Sequence, residues 1–233
     1  MKAKIFSLVT VLFFIVIKVS IFAGGTPEPL NISNIDMVQR YIEGGVLDER
    51  ISNTGLALLA REDLQLLRNA IYARRGMIFQ SNYLTEYFRK FTWYRPMSNN
   101  VESQLSELDR INLRNIQVFE NARTNPSIQK RQLVGTWIDS FPAPAYCGEI
   151  KINNNNTIEV IDPQFEGYYK GRYTIENGFL IVLVTDQQDP DNGRWVTYQN
   201  PLRLVFPVWD LEEFEYGGYQ VQIGYTKWFG GPN

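Results

Sequence analysis

Histidine is absent from this chain and cysteine occurs once, and these two shortages remove much of the catalytic repertoire. Ser-His-Asp and Cys-His nucleophile systems need an imidazole, as do facial-triad iron sites and zinc sites with histidine ligands. One thiol cannot form a zinc site with four cysteine ligands, an iron–sulfur cluster or an internal disulfide. The sequence therefore predicts no catalytic residue, no metal site and no cofactor.

Long apolar runs are scarce as well, and the clearest one lies near the start of the chain. Residues 5–17 carry no charge, follow a basic start and precede Lys18, and the small Ala23 offers a cleavage point. This length fits the core of a signal peptide and falls short of the ~18–20 apolar residues that span a bilayer. We predict cleavage near Ala23 and export to the periplasm or the exterior. The alternative is an uncleaved anchor across residues 5–23, which would be the only membrane contact.

A clustered excess of positive charge is also missing. The chain has a net charge of −2, which becomes −5 once the three lysines of the predicted signal peptide are removed. Residues 53–125 have a net charge of +3 and residues 133–233 a net charge of −7. Neither segment has the basic footprint of a nucleic-acid-binding protein, so we expect no nucleic-acid partner. The opposite charges of the two segments predict that they attract each other.

Composition divides the chain into five segments. The prediction is a signal peptide at residues 1–23, a spacer with a short helix at 24–52, a helical domain at 53–125, a linker at 126–132 and an antiparallel β domain at 133–233. The fold class is therefore α+β. Within the helical domain the hydrophobic pattern predicts helices over 61–75, 82–91 and 104–122, the first of which stops at Gly76.

Two arginines share the apolar stripe of the helix predicted at 61–75. At 100° per residue, with Leu64 at 0°, Ile71 falls at 340°, Arg68 at 40° and Arg75 at 20°. The favoured interpretation is structural: the stems cover the core while the guanidinium groups pair with carboxylates or with free carbonyls at the helix end. A ligand-binding role is the alternative.

The same helix carries the run LQLLRNAIYARRGMIF at residues 64–79, which resembles the signature of the YARHG domain family. The aromatic pair Tyr87-Phe88 with WYRP at 93–96, and LSELDRIN at 105–112, resemble that family's aromatic segment and closing helix. The resemblance covers residues 56–122. It implies a small, mostly helical, exported bacterial domain without an established biochemical function.

Arg75 stands where the family has its signature histidine. Since arginine stays protonated, an acid–base or metal role cannot operate at this position. The position is either structural or a donor toward an anion or a carboxylate. Aromatic residues of this domain fit core packing, with a sugar- or peptide-stacking surface as the alternative. The candidate binding residues are Arg68, Tyr72, Arg74, Arg75, Trp93 and Tyr94.

About eight short strands are predicted beyond residue 133, which suits an up-and-down barrel or a two-sheet sandwich. Leu133, Gly135 and Trp137 are similar to the first strand of lipocalin-like small barrels. Such a barrel holds a small ligand or is filled by its own side chains, and both outcomes stay open here. Cys147, at the start of a predicted strand, is either a buried thiol or an intermolecular link.

The leading hypothesis is a non-enzymatic binding or scaffolding module of the bacterial envelope, with an envelope component or protein as its partner. One alternative is a carrier of a small apolar molecule inside the β domain. The other is a carboxylate-dependent hydrolase of envelope sugars, which needs two acidic groups in one cleft. The acids at 210, 212, 213 and 215 are instead expected on an exposed face.

Overall fold

The computed structural model describes residues 35–122, 124–140, 147–162, 167–189 and 192–232. The predicted signal peptide and the proline-containing spacer lie outside these residues. The chain forms two compact units, with Leu30–Ala122 in a helical unit and Arg123–Asn233 in a β unit. A helical part therefore precedes a β part, and the α+β class is confirmed.

Five α-helices build the described part of the helical unit. They are α1 (Ile35–Glu43), α2 (Asn53–Ala57), α3 (Arg61–Arg74), α4 (Asn82–Arg89) and α5 (Glu107–Glu120), with short 3-10 turns at Val46–Asp48 and Glu102–Gln104. The predicted helices at 82–91 and 104–122 are thus a few residues shorter than expected. The five-residue α2 has no apolar periodicity long enough to be seen in the sequence.

A side-chain cap begins α5, and a glycine ends α3. Asp109 and Ser106 form a reciprocal capping box at the start of α5: the Asp109 N–H donates to Ser106 Oγ at 3.1 Å, and the Ser106 N–H donates to Asp109 Oδ2 at 2.7 Å. Gly76 follows the C-terminal end of α3 and has a φ of 83°. This left-handed conformation favours glycine and ends the helix where the sequence predicts a stop.

The core of the helical unit includes the amphipathic face of α1. Its apolar side chains Val38, Tyr41 and Ile42 are buried, and the Tyr41 hydroxyl donates to the carbonyl of Gly55 at 3.2 Å. Burial raises the pKa of this tyrosine far above its ordinary value. Helix α1, which the sequence grouped with the spacer, is packed as a core element of this unit.

The β unit contains a closed antiparallel barrel in which sequential strands are neighbours. The strands are β1 (Gly135–Ile138), β2 (Glu149–Ile152), β3 (Thr157–Asp162), β4 (Gly167–Glu176), β5 (Phe179–Gln188), β6 (Trp195–Glu213), β7 (Tyr219–Ile223) and β8 (Thr226–Gly231). Trp137 of β1 lies opposite Gly230 of β8, which closes the barrel. This pairing decides between the two predicted β architectures in favour of the barrel.

Strand β6 differs most from its prediction. The sequence suggests two strands, at 195–199 and 202–208, whereas one strand of 19 residues runs through both. Its register against β5 shifts between Val184 and Asp186, so the extra residues are accommodated by an irregularity in the pairing. Conversely, the single strand predicted at 219–227 is the hairpin of β7 and β8.

The barrel buries apolar side chains on its inner face. Trp137, Ile150, Ile158, Val182, Leu204, Val208 and Val221 are each at most 5 % exposed. We call the end that holds the β2–β3, β4–β5 and β6–β7 connections the lower end. Here a short helix, α6 (Lys130–Leu133), precedes β1, and Lys130 Nζ donates to Asn156 Oδ1 at 2.6 Å. Helix α6 therefore covers the lower end, and the fully buried Leu133 packs there.

Candidate functional site

Each of the three candidate arginines on α3 or at its end pairs with a carboxylate of the helical unit. Arg68 binds Glu120 through two nitrogens, at 2.7 and 3.1 Å. Arg75 Nε donates to Asp109 Oδ2 at 2.8 Å. The third pair joins Arg74 to Asp48. These pairs account for all three arginines by contacts inside the unit, and a ligand-binding role for them stays a prediction.

Tyr72 and Tyr94, the candidate tyrosines, also make internal contacts. Burial, followed by the charge of Glu102 and a hydrogen bond to it, raises the pKa of Tyr72. The Tyr94 hydroxyl donates to the carbonyl of Met77 at 2.8 Å, which ties the segment after α4 to the segment after α3. Tyr94 itself is buried. Tyr72 thus interacts with the 3-10 turn at Glu102, and Tyr94 joins two segments of the unit.

Aromatic rings form a connected cluster on α4 and on the segments that precede and follow it. Phe79 stacks on Phe88 with ring centroids 5.2 Å apart, and Tyr87 meets Phe88 edge to face at 5.1 Å. Phe91 lies 5.7 Å from Tyr87 and 5.2 Å from Trp93. The prediction that the aromatic residues pack in the core is therefore correct for Phe88 and its buried neighbours.

Trp93 and Tyr83 lie at opposite ends of this cluster and face solvent. Their exposed fractions are 36 % and 58 %, while Tyr87 and Phe91 between them are buried. Tyr83 and Tyr87 are spaced i and i+4, which places both on one side of α4, and Phe91 follows the end of this helix. Sequence reasoning singled out Trp93 but missed Tyr83, although this spacing was a visible signal for it.

Basic side chains border the exposed aromatics. Residues 82–100 contain Arg89, Lys90 and Arg95 and a single acid, Glu86. All four side chains are exposed, and within the described part of the chain none of the three cations makes an ion pair. We call the exposed group Tyr83, Arg89, Lys90, Trp93 and Arg95 the α4 surface.

Contacts place two of these cations, Lys90 and Arg95, next to the aromatic cluster. Lys90 Nζ lies 5.7 Å from the centre of the Tyr87 ring. Arg95 donates to the carbonyls of Thr92 and Tyr94, at 2.6 and 3.1 Å, so its guanidinium lies over the turn that carries Trp93. The α4 surface thus combines large rigid rings with positive charge, and it can bind an acidic, partly apolar partner.

Inside the same cluster, the hydroxyl of Tyr87 is buried without a hydrogen-bond partner among the described residues. Burial, together with the charges of nearby Tyr83, Asp63 and Glu43, raises its pKa to about 12. The phenol therefore stays neutral at physiological pH.

A second cluster lies on the outer wall of the barrel and joins β3, β4 and β6. The Tyr168 hydroxyl donates to Glu159 Oε2 at 2.6 Å, and Lys170 Nζ lies 4.6 Å from the centre of the Trp195 ring. The Tyr168 and Trp195 rings meet edge to face at 4.8 Å. The polar groups of this cluster bind one another, so it is explained as cross-strand packing.

The described residues contain no group of three or more acids, cysteines or histidines arranged to hold a metal ion. Cys147 is a free, partly buried thiol. Asp210, Glu212, Glu213 and Glu215 are all exposed on β6 and just beyond it. None of the helices within the described ranges has both the length and the apolar character that crossing a membrane requires.

Comparison with known protein families shows a match over part of the chain. No curated protein and no solved structure matches the chain. The family match begins at residue 40, sixteen residues before the resemblance seen in the sequence, and so includes the end of α1. This agrees with the packing of α1 into the helical unit. Residues 40–121, which comprise most of that unit, match the family model of the YARHG domain.

Proposed function

We propose that this protein is an exported, non-enzymatic binding module of the bacterial envelope, and that the α4 surface docks on an acidic surface of a partner protein. The observation that carries the proposal is a contrast within one unit. Arg68, Arg74 and Arg75 have carboxylate partners, whereas the exposed Arg89, Lys90 and Arg95, near the aromatic cluster in the chain, have none among the described residues. A partner would supply the missing negative charge.

The composition of the α4 surface supports a protein as the partner. Tryptophan, tyrosine and arginine are the residues most enriched among those that dominate protein–protein binding energy. Trp93 rests on Phe91 and Phe88, with ring centroids 5.2 and 6.4 Å away, so little side-chain entropy is lost when it is covered. The cations at its border would steer an acidic partner into place.

Site-specific photo-crosslinking in the native cells identifies the partner. A photoreactive phenylalanine at position 93 should give a covalent adduct with an acidic protein, and the same group at the exposed Tyr216 of the barrel should not. The adduct protein is then purified, and its affinity for the full mature chain is measured. An adduct found equally at both positions, or only with a second copy of this chain, would overturn the proposal.

Variants of the α4 surface then test the chemistry of binding. Trp93→Ala should weaken binding at least about tenfold, and Lys90→Glu should weaken it and reduce its dependence on salt. The matched control is Arg114→Glu, which reverses an exposed arginine on α5 of the same unit. Unchanged affinity in Trp93→Ala, with the fold intact by circular dichroism, would contradict a role for this surface.

Export is tested separately. Protein purified from its own cells should have the intact mass of residues 24–233, and it should be recovered with the periplasmic or extracellular fraction. The full mass in the cytoplasm would remove the envelope from the proposal and leave the docking surface to be tested alone. A hydrolase activity on envelope sugars, lost together with exposed carboxylates, would contradict the non-enzymatic assignment.

A further inference from the structure

The barrel holds one buried donor that the described residues leave unsatisfied. The Trp228 side chain is 6 % exposed, and its Nε1–H has no hydrogen-bond partner among the described residues. Trp228 lies opposite the fully buried Val221 across the β7–β8 pair, so its indole is on the inner face of the barrel. An indole nitrogen is a donor only, and leaving it unpaired in an apolar interior is unfavourable.

Other polar aromatic groups of the barrel interior do have partners. Trp137 Nε1 donates to the carbonyl of Leu133 at 2.8 Å, and the Tyr173 hydroxyl donates to the carbonyl of Asn153 at 2.9 Å. Both bonds are made to the backbone at the lower end, beside α6. The polar groups of Trp137 and Tyr173 are thus hydrogen-bonded at the lower end, which α6 covers. Trp228 lies in the other half of the barrel.

The opposite end holds polar groups on the inner face. We call it the upper end; β7 ends there and β8 begins there at Thr226, and Trp228 lies two residues further along β8. Gln187 lies opposite the buried Tyr169 and opposite Val196, so it shares the inner face with them. The Tyr198 hydroxyl donates to Gln187 Oε1, and burial raises the pKa of that phenol. The upper interior therefore combines apolar walls with neutral hydrogen-bonding groups.

A carboxylate lies beside the indole and limits what can bind. A Cβ built on Gly148 would be 2.6 Å from Asp139 Oδ2 and 3.2 Å from Trp228 Cη2, so the carboxylate and the benzene edge of the indole lie on either side of the space next to Gly148. Asp139 Oδ1 accepts the N–H of Gly148 at 2.8 Å, which holds it there. An anion bound at Nε1 would be repelled by this carboxylate.

We propose that the upper half of the barrel holds a binding site for a small, uncharged and largely apolar molecule, whose hydrogen-bond acceptor pairs with Nε1–H of Trp228. A ketone, ester or ether oxygen has the required chemistry, because it accepts a hydrogen bond without negative charge. This site is separate from the α4 surface, and it gives the β unit a function of its own.

The test uses the full mature chain and hexan-2-one as the neutral acceptor, with hexane and hexanoate as matched probes. The indole N–H resonances are followed in nitrogen-15 spectra, and the Trp228 resonance is assigned by its absence from Trp228→Phe. Hexan-2-one should shift the Trp228 resonance saturably. The resonance of Trp137, whose N–H is already bonded, serves as the internal control and should not shift.

Probe affinities decide the chemistry. Hexanoate should bind at least about tenfold more weakly than hexan-2-one, and hexane should leave the Trp228 N–H resonance in place. Trp228→Phe, which keeps a ring but removes the donor, should weaken ketone binding about fivefold to tenfold. The absence of a saturable shift up to the solubility of the ketone, or equal shifts at Trp137, would overturn the proposal without reference to any variant. Equal ketone affinity in a folded Trp228→Phe protein would overturn it as well.

Discussion

Arg75 Nε lies 2.8 Å from Oδ2 of Asp109, and this same oxygen accepts the N–H and the hydroxyl of Ser106 at 2.7 and 2.8 Å. One carboxylate thus closes the capping box of α5 and anchors the residue that ends α3. Asp109 is buried, whereas the Arg75 side chain is 36 % exposed. The arginine at the position of the family's signature histidine is therefore bound to the closing helix of the domain.

Removing the positive charge at Arg75 should destabilise the helical unit. Arg75→Gln leaves the buried Asp109 carboxylate without its counter-charge, and we expect a loss of about 1–2 kcal/mol in the free energy of unfolding. Urea denaturation followed by far-ultraviolet circular dichroism measures it. The control Arg114→Gln breaks an exposed pair with Glu107 and should cost less than about 0.5 kcal/mol. Equal effects would mean that the Arg75 pair is no more than a surface contact.

Arg75→His should make the stability of the helical unit depend on pH. Because Asp109 stabilises the charged imidazole, the pKa of the new histidine should rise above the ordinary value of about 6.5. The stabilisation is then fully present below pH ~6.5 and is lost as the pH rises through the raised folded-state pKa. Urea midpoints measured from about pH 5 to pH 9 should fall in this variant more than in Arg75→Gln. Parallel pH profiles for both variants would refute the pairing.

Gly76 should resist substitution more strongly than Gly217, a glycine of similar backbone conformation. A Cβ there would lie 2.6 Å from Met97 Cε and 2.9 Å from the carbonyl oxygen of Arg95, at a φ of 83°. Gly217 has a φ of 93° and nothing within 4 Å of such a Cβ. Backbone strain alone should cost Gly217→Ala about 1 kcal/mol, and the added contacts should bring Gly76→Ala to about 2–4 kcal/mol.

These two costs are separated by their signals. Far-ultraviolet circular dichroism reports the helical unit, while tryptophan fluorescence reports mainly the barrel, since Trp93 is the single tryptophan of residues 30–122. Equal losses in the two variants would show that Met97 and the neighbouring backbone move aside without cost.

The phenol of Tyr168 should ionise late. Its hydrogen bond to Glu159, followed by burial and the charge of that carboxylate, raises its pKa to about 12. Since the unfolded phenol titrates near pH ~10, the folded state is favoured by this group below pH ~10 and loses that preference as the pH rises toward ~12. Titration by tyrosinate absorbance should show one fewer late-ionising tyrosine in Tyr168→Phe than in the unmodified protein. An unchanged number of late-ionising groups in Tyr168→Phe would contradict this assignment.

Much of the helical unit could be predicted from the sequence because the sequence patterns that specify it are local. The stop at Gly76, the apolar periodicity of 61–75 and the charged and aromatic motifs each lie within one or two turns of chain. The short α2 and the packing of α1 were missed because they depend on distant contacts. Asn112, for example, binds the backbone of Glu49 and Ile51 from 63 and 61 residues away.

By itself the sequence determined which chemistry is available: without histidine, and with arginine at position 75, the charge of that position is fixed at physiological pH. It also determined the order of helices before strands, since hydrophobic periodicity is a property of neighbouring residues. Only the tertiary structure decided which carboxylates Arg68, Arg74 and Arg75 meet, because the three partners lie 26 to 52 residues away in the chain. It likewise decided that the sheet closes into a barrel. The N–H of Trp137 donates to a backbone carbonyl, whereas the N–H of Trp228 has no acceptor among the described residues. Only the tertiary structure decided this difference, because a hydrogen bond depends on where separate strands place their atoms.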